Sequence, residues 1–214
     1  MNDSKKITLT TIIIFIIFIA IYGIYFLKKN AIEYNIGDYV MLKDGSTWHV
    51  VVDCLKKDDY ITLLSDTSID LNSDGSNNDT MYFNSTNYNK DFYSSTIGNY
   101  LINFYMPSLV TNGIEFGTEG EIRLITLDEL LNIGSFKKVS DSSNFPIYNL
   151  KKAPNWLYGS SFGTYGYWWT MTAFDANDSD VWVVNNVGNI IRDSASNNNT
   201  NSVRPVIKIL KSNL

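Results

Sequence analysis

Ile7 to Leu27 is a run of 21 residues without a charged side chain, most of them Ile and Phe. No other segment constrains the chain so strongly. At about 1.5 Å rise per residue, a helix of this length covers a hydrocarbon core of about 30 Å. Lys5 and Lys6 precede the run and Lys28 and Lys29 follow it, and Tyr22, Tyr25 and Phe26 fall where an interfacial aromatic belt would lie. Phe26-Leu27-Lys28-Lys29 offers no small-residue cleavage site. The run therefore reads as an uncleaved single-pass anchor in the cell membrane and not as a signal peptide. The flanking lysines tie, so charge does not set the orientation. Because the folding part follows the run, the expectation is a signal-anchor with a short cytoplasmic tail and an extracellular domain. The expected organisation is a tail over residues 1–6, a transmembrane helix over 7–27, a linker over 28–36 and one domain over 37–214.

Charge narrows the partners. Lys5, Lys6, Lys28 and Lys29 against Asp3 leave the first 29 residues at +3, so of the overall −5 the other 185 residues carry −8. A nucleic-acid-binding domain needs a basic footprint, and this is the reverse. Basic ligands, neutral polar ligands and cations stay open. One cysteine, Cys54, and one histidine, His49, exclude an intrachain disulfide and any zinc site built from Cys and His. Aromatic residues make up 14% of the chain, the rigid, amphipathic material of binding surfaces as well as of cores.

After the linker, Tyr39 to Leu42, the turn Lys43-Asp44-Gly45 and Thr47 to Cys54 predict a hairpin, because Asp-Gly between apolar runs is a strong turn signal. Tyr60 to Leu64 adds a third strand. Asp66 to Asn89 is polar and reads as a long loop. Ser94 to Met106 carries a helical stripe of Ile97, Leu101, Phe104 and Tyr105 and is expected to stop before Pro107. Glu121 to Ile125 reads as a strand, and Thr126-Leu-Asp-Glu129 as a capping box for a helix over Leu127 to Asn132. Ser140 to Pro154 reads as irregular. Tyr167 to Phe174 is a strand, Val181 to Val184 and Asn189 to Arg192 form a second hairpin, and Val203 to Leu210 is the last strand. Strands, then two helices, then strands again give an α+β fold of antiparallel sheets. Asn84-Ser85-Thr86 and Asn177-Asp178-Ser179 match the glycosylation pattern.

A Cys/His nucleophile pair fails on geometry. Side chains alternate faces along a strand, so Cys54 shares the apolar face of Trp48, Val50 and Val52, while His49 points the other way. Cys54 reads as a small core residue and His49 as a half-exposed one. No G-x-S-x-G, phosphate-binding glycine loop or HExxH occurs. Asp70-Leu-Asn72-Ser-Asp74-Gly75, with Asp79 nearby, opens like a calcium loop, offering hard oxygen ligands at its first, third and fifth positions. Its twelfth position is Met81, not the bidentate Glu of an EF-hand, and a solvated loop rich in turn formers is the competing reading. Calcium is thus the one cofactor the sequence suggests, with Asp70, Asn72, Asp74 and Asp79 as its candidate ligands.

Tyr167-Trp-Trp-Thr-Met-Thr172, Val181-Trp-Val-Val184 with Gly188, and Ser202-Val-Arg-Pro-Val-Ile207 resemble a bacterial family of uncharacterised domains. Tyr93 to Leu101 and Ile122 to Glu129 resemble that family's first helix and its strand-into-helix step. The resemblance covers about Gly37 to Leu210. It implies a C-type-lectin-like fold related to the formylglycine-generating (sulfatase-modifying) fold and to the variable proteins of diversity-generating retroelements. Ser202 stands where the family has Gly, the cysteine chemistry of the formylglycine-generating enzymes is missing, and so are the Glu-Pro-Asn and Trp-Asn-Asp calcium motifs of animal C-type lectins. The resemblance implies that the terminal strands pair and that late loops meet the ligand. The expected ligand-binding residues are Trp156, Tyr158, Tyr165, Asp175, Asn177, Asp178 and Asn197, suited to a glycan or a protein surface. In this reading the chain is a non-catalytic, membrane-anchored recognition domain. The alternatives are a calcium-assisted enzyme on the same fold and a structural envelope protein. Arg204 is expected to pair with a carboxylate.

Overall fold

The turn at Lys43-Asp44-Gly45 folds as its residue types demand. The Asp44 carboxylate accepts the Ser46 N–H at 2.9 Å, Leu42 and Ser46 close the turn through their backbones, and Gly45 sits at φ +84°. It joins β1 (Tyr39–Met41) to β2 (Thr47–Val50), which pairs in turn with β3 (Tyr60–Ser65). The computed structural model describes residues 13–21, 33–55, 58–71, 79–84, 91–133, 137–140, 147–149, 154–158, 167–174, 180–185, 189–195 and 201–214.

The chain divides into two units. The first comprises Met1–Tyr34 with Leu55–Asp58. It holds α1, the helix over residues 13–21, whose apolar side chains are exposed, and a turn in which Asp58 caps the Leu55 N–H at 2.7 Å. The expected transmembrane helix over 7–27 is corrected here. Among the described residues no helix is long and apolar enough to cross a membrane. The fold class is α+β, with two antiparallel sheets and few helices, and the described residues include no membrane-spanning helix before it.

The second unit, Asn35–Cys54 with Asp59–Leu214, carries both sheets. The first has the order β1-β2-β3-β10-β4, with β4 at Glu121–Leu124 and β10 at Pro205–Leu210. The closing strand β10 inserts between β3 and β4, while β1 keeps the edge of the same sheet, so the terminal strands share a sheet but are not direct partners. The second sheet has the order β5-β6-β9-β8-β7, made of Lys137–Ser140, Ile147–Asn149, Asn189–Ser194, Asp180–Val184 and Trp168–Ala173 respectively. The strands β5 and β6 occupy stretches where the sequence predicted no strand. Backbone bonds from Trp169 to Ser202, from Ser202 to Tyr167 and from Met171 to Ile125 tie the sheets together. Their shared core includes Leu64 and Val206 from the first sheet with Trp168, Trp182, Val184 and Ile190 from the second.

The helical region runs further than its sequence suggests. A 3-10 turn (Phe92–Ser94) leads into α2 (Thr96–Tyr100), capped by the Ser95 hydroxyl on the Gly98 N–H at 2.9 Å. Leu101–Tyr105 then form one π turn, and α3 (Met106–Thr111) continues through Pro107. Proline removes one N–H from an i→i−4 ladder and crowds the carbonyl four residues back. The wider π register, with Met106 N–H on the Leu101 carbonyl, lets the helix pass that point. Both Trp168 and Trp169 are buried although they point to opposite faces. Trp168 enters the shared core, and Trp169 is covered by the Met81–Phe83 segment, donating to the Met81 carbonyl at 2.7 Å. Asn84 is 2% exposed, so in the folded chain its side chain is not presented for glycosylation. Asn177 lies outside the described residues.

Candidate functional site

A cavity of about 320 Å³ opens where the β1–β2 turn, the exit of β3 and the end of the π turn meet. That volume suits a ligand of monosaccharide size. Its floor follows from the tight turn. The Ser46 hydroxyl donates to Asp44 at 2.6 Å and accepts from Trp48 Nε1 at 2.7 Å, which locks the Trp48 ring, 1% exposed, against the wall. Opposite, Ser65 ends β3 in register with Trp48, and its hydroxyl donates to the Thr67 carbonyl at 2.6 Å. That local bond turns the chain so that Thr67, Ser68 and Asp70 also face the cavity. Tyr105 closes the third side from the π turn. Burial pushes its phenol well above the ordinary tyrosine range, reinforced by the Asp44 charge and by Tyr100, so the hydroxyl keeps its proton at any physiological pH. The neighbouring Tyr100 is shifted the same way by burial and by the charges of Asp70 and Asp79.

Behind the wall lies a second polar cluster. The Asp66 carboxylate faces the Thr47 hydroxyl at 3.4 Å and His49 Nε2 at 3.0 Å. His49 Nδ1 lies 3.3 Å from the Gly37 carbonyl. Both partners are acceptors, so a neutral ring donates to one of them and an imidazolium to both. His49 is buried, not half-exposed as the sequence suggested, because Trp156 stacks on it at 4.5 Å and Tyr39 meets its edge at 5.4 Å. The backbone at Gly37 approaches the same indole so closely that a Cβ there would sit 3.4 Å from Trp156 Nε1.

Arg204 holds these pieces together. It is fully buried and donates to the Ser65 carbonyl from Nε at 3.0 Å and Nη2 at 2.7 Å, to Leu157 at 3.1 Å and to Trp156 at 3.2 Å, with its guanidinium over the Trp168 ring. Burial lowers its pKa to about 9, partly offset by the Asp66 charge, which leaves it cationic at neutral pH. These contacts run to backbone carbonyls, and they tie β3 to α5 (Asn155–Tyr158).

Of the residues the sequence singled out, the cavity contains Asp70. Trp156 is half-buried, stacked on His49, and does not line it. Tyr158 ends α5. Tyr165, Asp175, Asn177, Asp178 and Asn197 lie outside the described residues, as do Asn72 and Asp74 of the calcium candidate. Asp79 accepts the Leu71 N–H, and among the described residues no three metal-ligating side chains converge. Cys54 is buried with its thiol on the Tyr60 carbonyl at 2.8 Å. Sequence reasoning missed Ser46, Thr47, Trp48, Ser65, Thr67 and Tyr105, since small hydroxyls beside a turn read as turn formers. The usable signals were Trp48 three residues after the Asp-Gly turn and Pro107 inside an apolar helical stripe. No family model, curated protein or solved structure matches the chain.

Proposed function

We propose that this chain is a non-catalytic ligand-recognition domain whose site is the Trp48–Tyr105 cavity, and that the ligand is a small polyhydroxylated molecule such as a sugar residue. The observation that carries the reading is the cavity's lining, in which five Ser and Thr side chains surround two aromatic residues. Hydroxyls and aromatic rings match the mixed polar and apolar faces of a sugar. The bacterial domain family that the chain resembles, with its C-type-lectin-like members, points the same way.

The test is isothermal titration of the full chain with glucose, galactose, mannose and glucosamine, beside a Thr67→Trp variant that fills the half-buried mouth of the cavity. The expected result is saturable binding of at least one sugar, with Kd of about 1 mM, abolished in Thr67→Trp at an unchanged melting temperature. Absence of saturable binding across the panel, or binding that survives the filled cavity, refutes the reading.

A further inference from the structure

We infer that β1 is a docking edge for a second copy of this chain, paired with its counterpart as an antiparallel strand about a two-fold axis at Val40. The inference stands apart from the sugar-recognition reading and needs no ligand.

It comes from where the backbone groups of β1 point. In an antiparallel pair, residues that exchange N–H···O=C bonds alternate with residues whose backbone groups face away. The Val50 N–H donates to the Asp38 carbonyl and the Leu42 N–H to the Ser46 carbonyl, each at 2.9 Å. The positions bonded toward β2 are therefore Asp38, Val40 and Leu42. Tyr39 and Met41 turn their N–H and C=O groups to the open side of the sheet, where among the described residues no strand pairs with them. They are 60% and 64% exposed. An uncharged strand open in this way is a template for another strand.

The other sheet edges are protected. On β4, Arg123 forms ion pairs with Glu121 and with Glu129. The sequence of β5 begins Lys137-Lys138. β7 is fastened to the first sheet through the Trp169 and Met171 amides. Edge charges and covering segments are the ordinary means by which sheets avoid lateral pairing. Tyr39-Val40-Met41 carries no charge.

A second copy fits this edge by symmetry. Antiparallel pairing centred on Val40 sets Tyr39 of each copy opposite the partner's Met41. Both are outward-facing positions, so each such pair exchanges both of its backbone bonds, and the two Val40 residues form the close, non-hydrogen-bonded pair between them. Tyr39 and the partner's Met41 then share one face, where sulfur against an aromatic ring is favourable. Charge selects the same arrangement. Asp38 precedes the strand and Lys43 follows it, and Lys43 is exposed and forms no ion pair among the described residues. Antiparallel pairing brings each Lys43 end to the partner's Asp38 end, whereas parallel pairing sets like charges together. So short a seam gives a dimer of the weak, transient class.

The experiment is sedimentation equilibrium of the full chain over a concentration series reaching about 1 mM, repeated on Met41→Pro and Met41→Lys. Proline at 41 deletes one outward N–H and no bond to β2, and lysine there adds an edge charge. The expected result is a reversible monomer–dimer equilibrium with Kd of about 100 µM, weakened at least tenfold in both variants, whose melting temperatures match wild type at dilutions where all are monomeric. Hydrogen exchange at the Tyr39 and Met41 amides should slow as wild-type concentration rises. A chain monomeric throughout the series overturns the inference and leaves the edge to an extended segment of another protein. Association that survives both variants, or exchange at those amides independent of concentration, overturns it by placing self-association elsewhere. If Met41→Pro does not fold, Met41→Lys and the exchange measurement decide.

Discussion

Replacing Arg204 with Met keeps most of the side-chain volume and deletes every donor. The structure gives the consequences. The Ser65 carbonyl loses two hydrogen bonds, and the Leu157 and Trp156 carbonyls lose one each. Buried acceptors left without partners cost about 1–3 kcal/mol apiece, which for three carbonyls gives about 3–9 kcal/mol. Removing a cation from a fully buried position recovers several kcal/mol of desolvation, and the methionine stem retains its contact with the Trp168 ring. The net expectation is a loss of about 3 kcal/mol, a large part of an ordinary stability of about 5–15 kcal/mol. For a chain of this size each kcal/mol moves the melting temperature by about 2–4 °C, so Arg204→Met should melt about 10 °C lower. Urea unfolding of the full chain is the assay. The midpoint should fall with little change in slope, because the surface exposed on unfolding is nearly the same. A variant within about 0.5 kcal/mol of wild type, the range of an ordinary surface change, would refute the view that these carbonyl bonds fasten β3 to α5. Since Ser65 also lines the cavity, the same variant should weaken sugar binding in proportion to the looseness it introduces.

Two further outcomes follow from local geometry. Glu129 caps its own helix, bonding the Thr126 N–H at 2.9 Å and the Arg123 guanidinium at 2.8 and 2.6 Å. Burial opposes its ionisation, but the Arg123 and Thr126 bonds outweigh that and hold its carboxyl below the usual range. A folded-state value below the unfolded one adds stability above the unfolded pKa of about 4.3, and that stability disappears as pH falls through the folded value. The stability gap between wild type and Glu129→Gln, measured by urea unfolding, should be present at pH 7 and close on acidification; a gap independent of pH would contradict the assignment. Cys54, buried and bonded to the Tyr60 carbonyl, should react with a thiol reagent only in denaturant, and rapid labelling of the native chain would contradict its placement.

Much of the fold could be read where a residue type has one mechanical use. Asp44-Gly45 specified a hairpin, Thr126 to Glu129 a helix start, and the stripe from Ile97 to Tyr105 a helix. Failures came where tertiary context overrides local pattern. Lys137-Lys-Val-Ser140 has no apolar alternation, yet it pairs with Ile147–Asn149 in the second sheet. Pro107 marks a helix end by local rules, and the π turn before it removes the conflict. The apolar run at Ile7 to Leu27 promised a membrane span from hydropathy alone, whereas no helix among the described residues is long and apolar enough to cross a membrane. The candidate site was nearly illegible, because Ser46, Thr67 and Ser68 carry no signal until folding sets them around Trp48. Asp70 stood out in sequence as part of a calcium pattern, and the structure places it on the cavity wall.

The most direct test of the account is a backbone amide NMR titration of the full chain with glucose, galactose, mannose and glucosamine in turn. Saturable shifts with at least one of them, concentrated at Ser46, Thr47, Thr67, Ser68 and Tyr105, are the result this account predicts. Shifts confined to other parts of the chain, or none at saturating ligand, would contradict it.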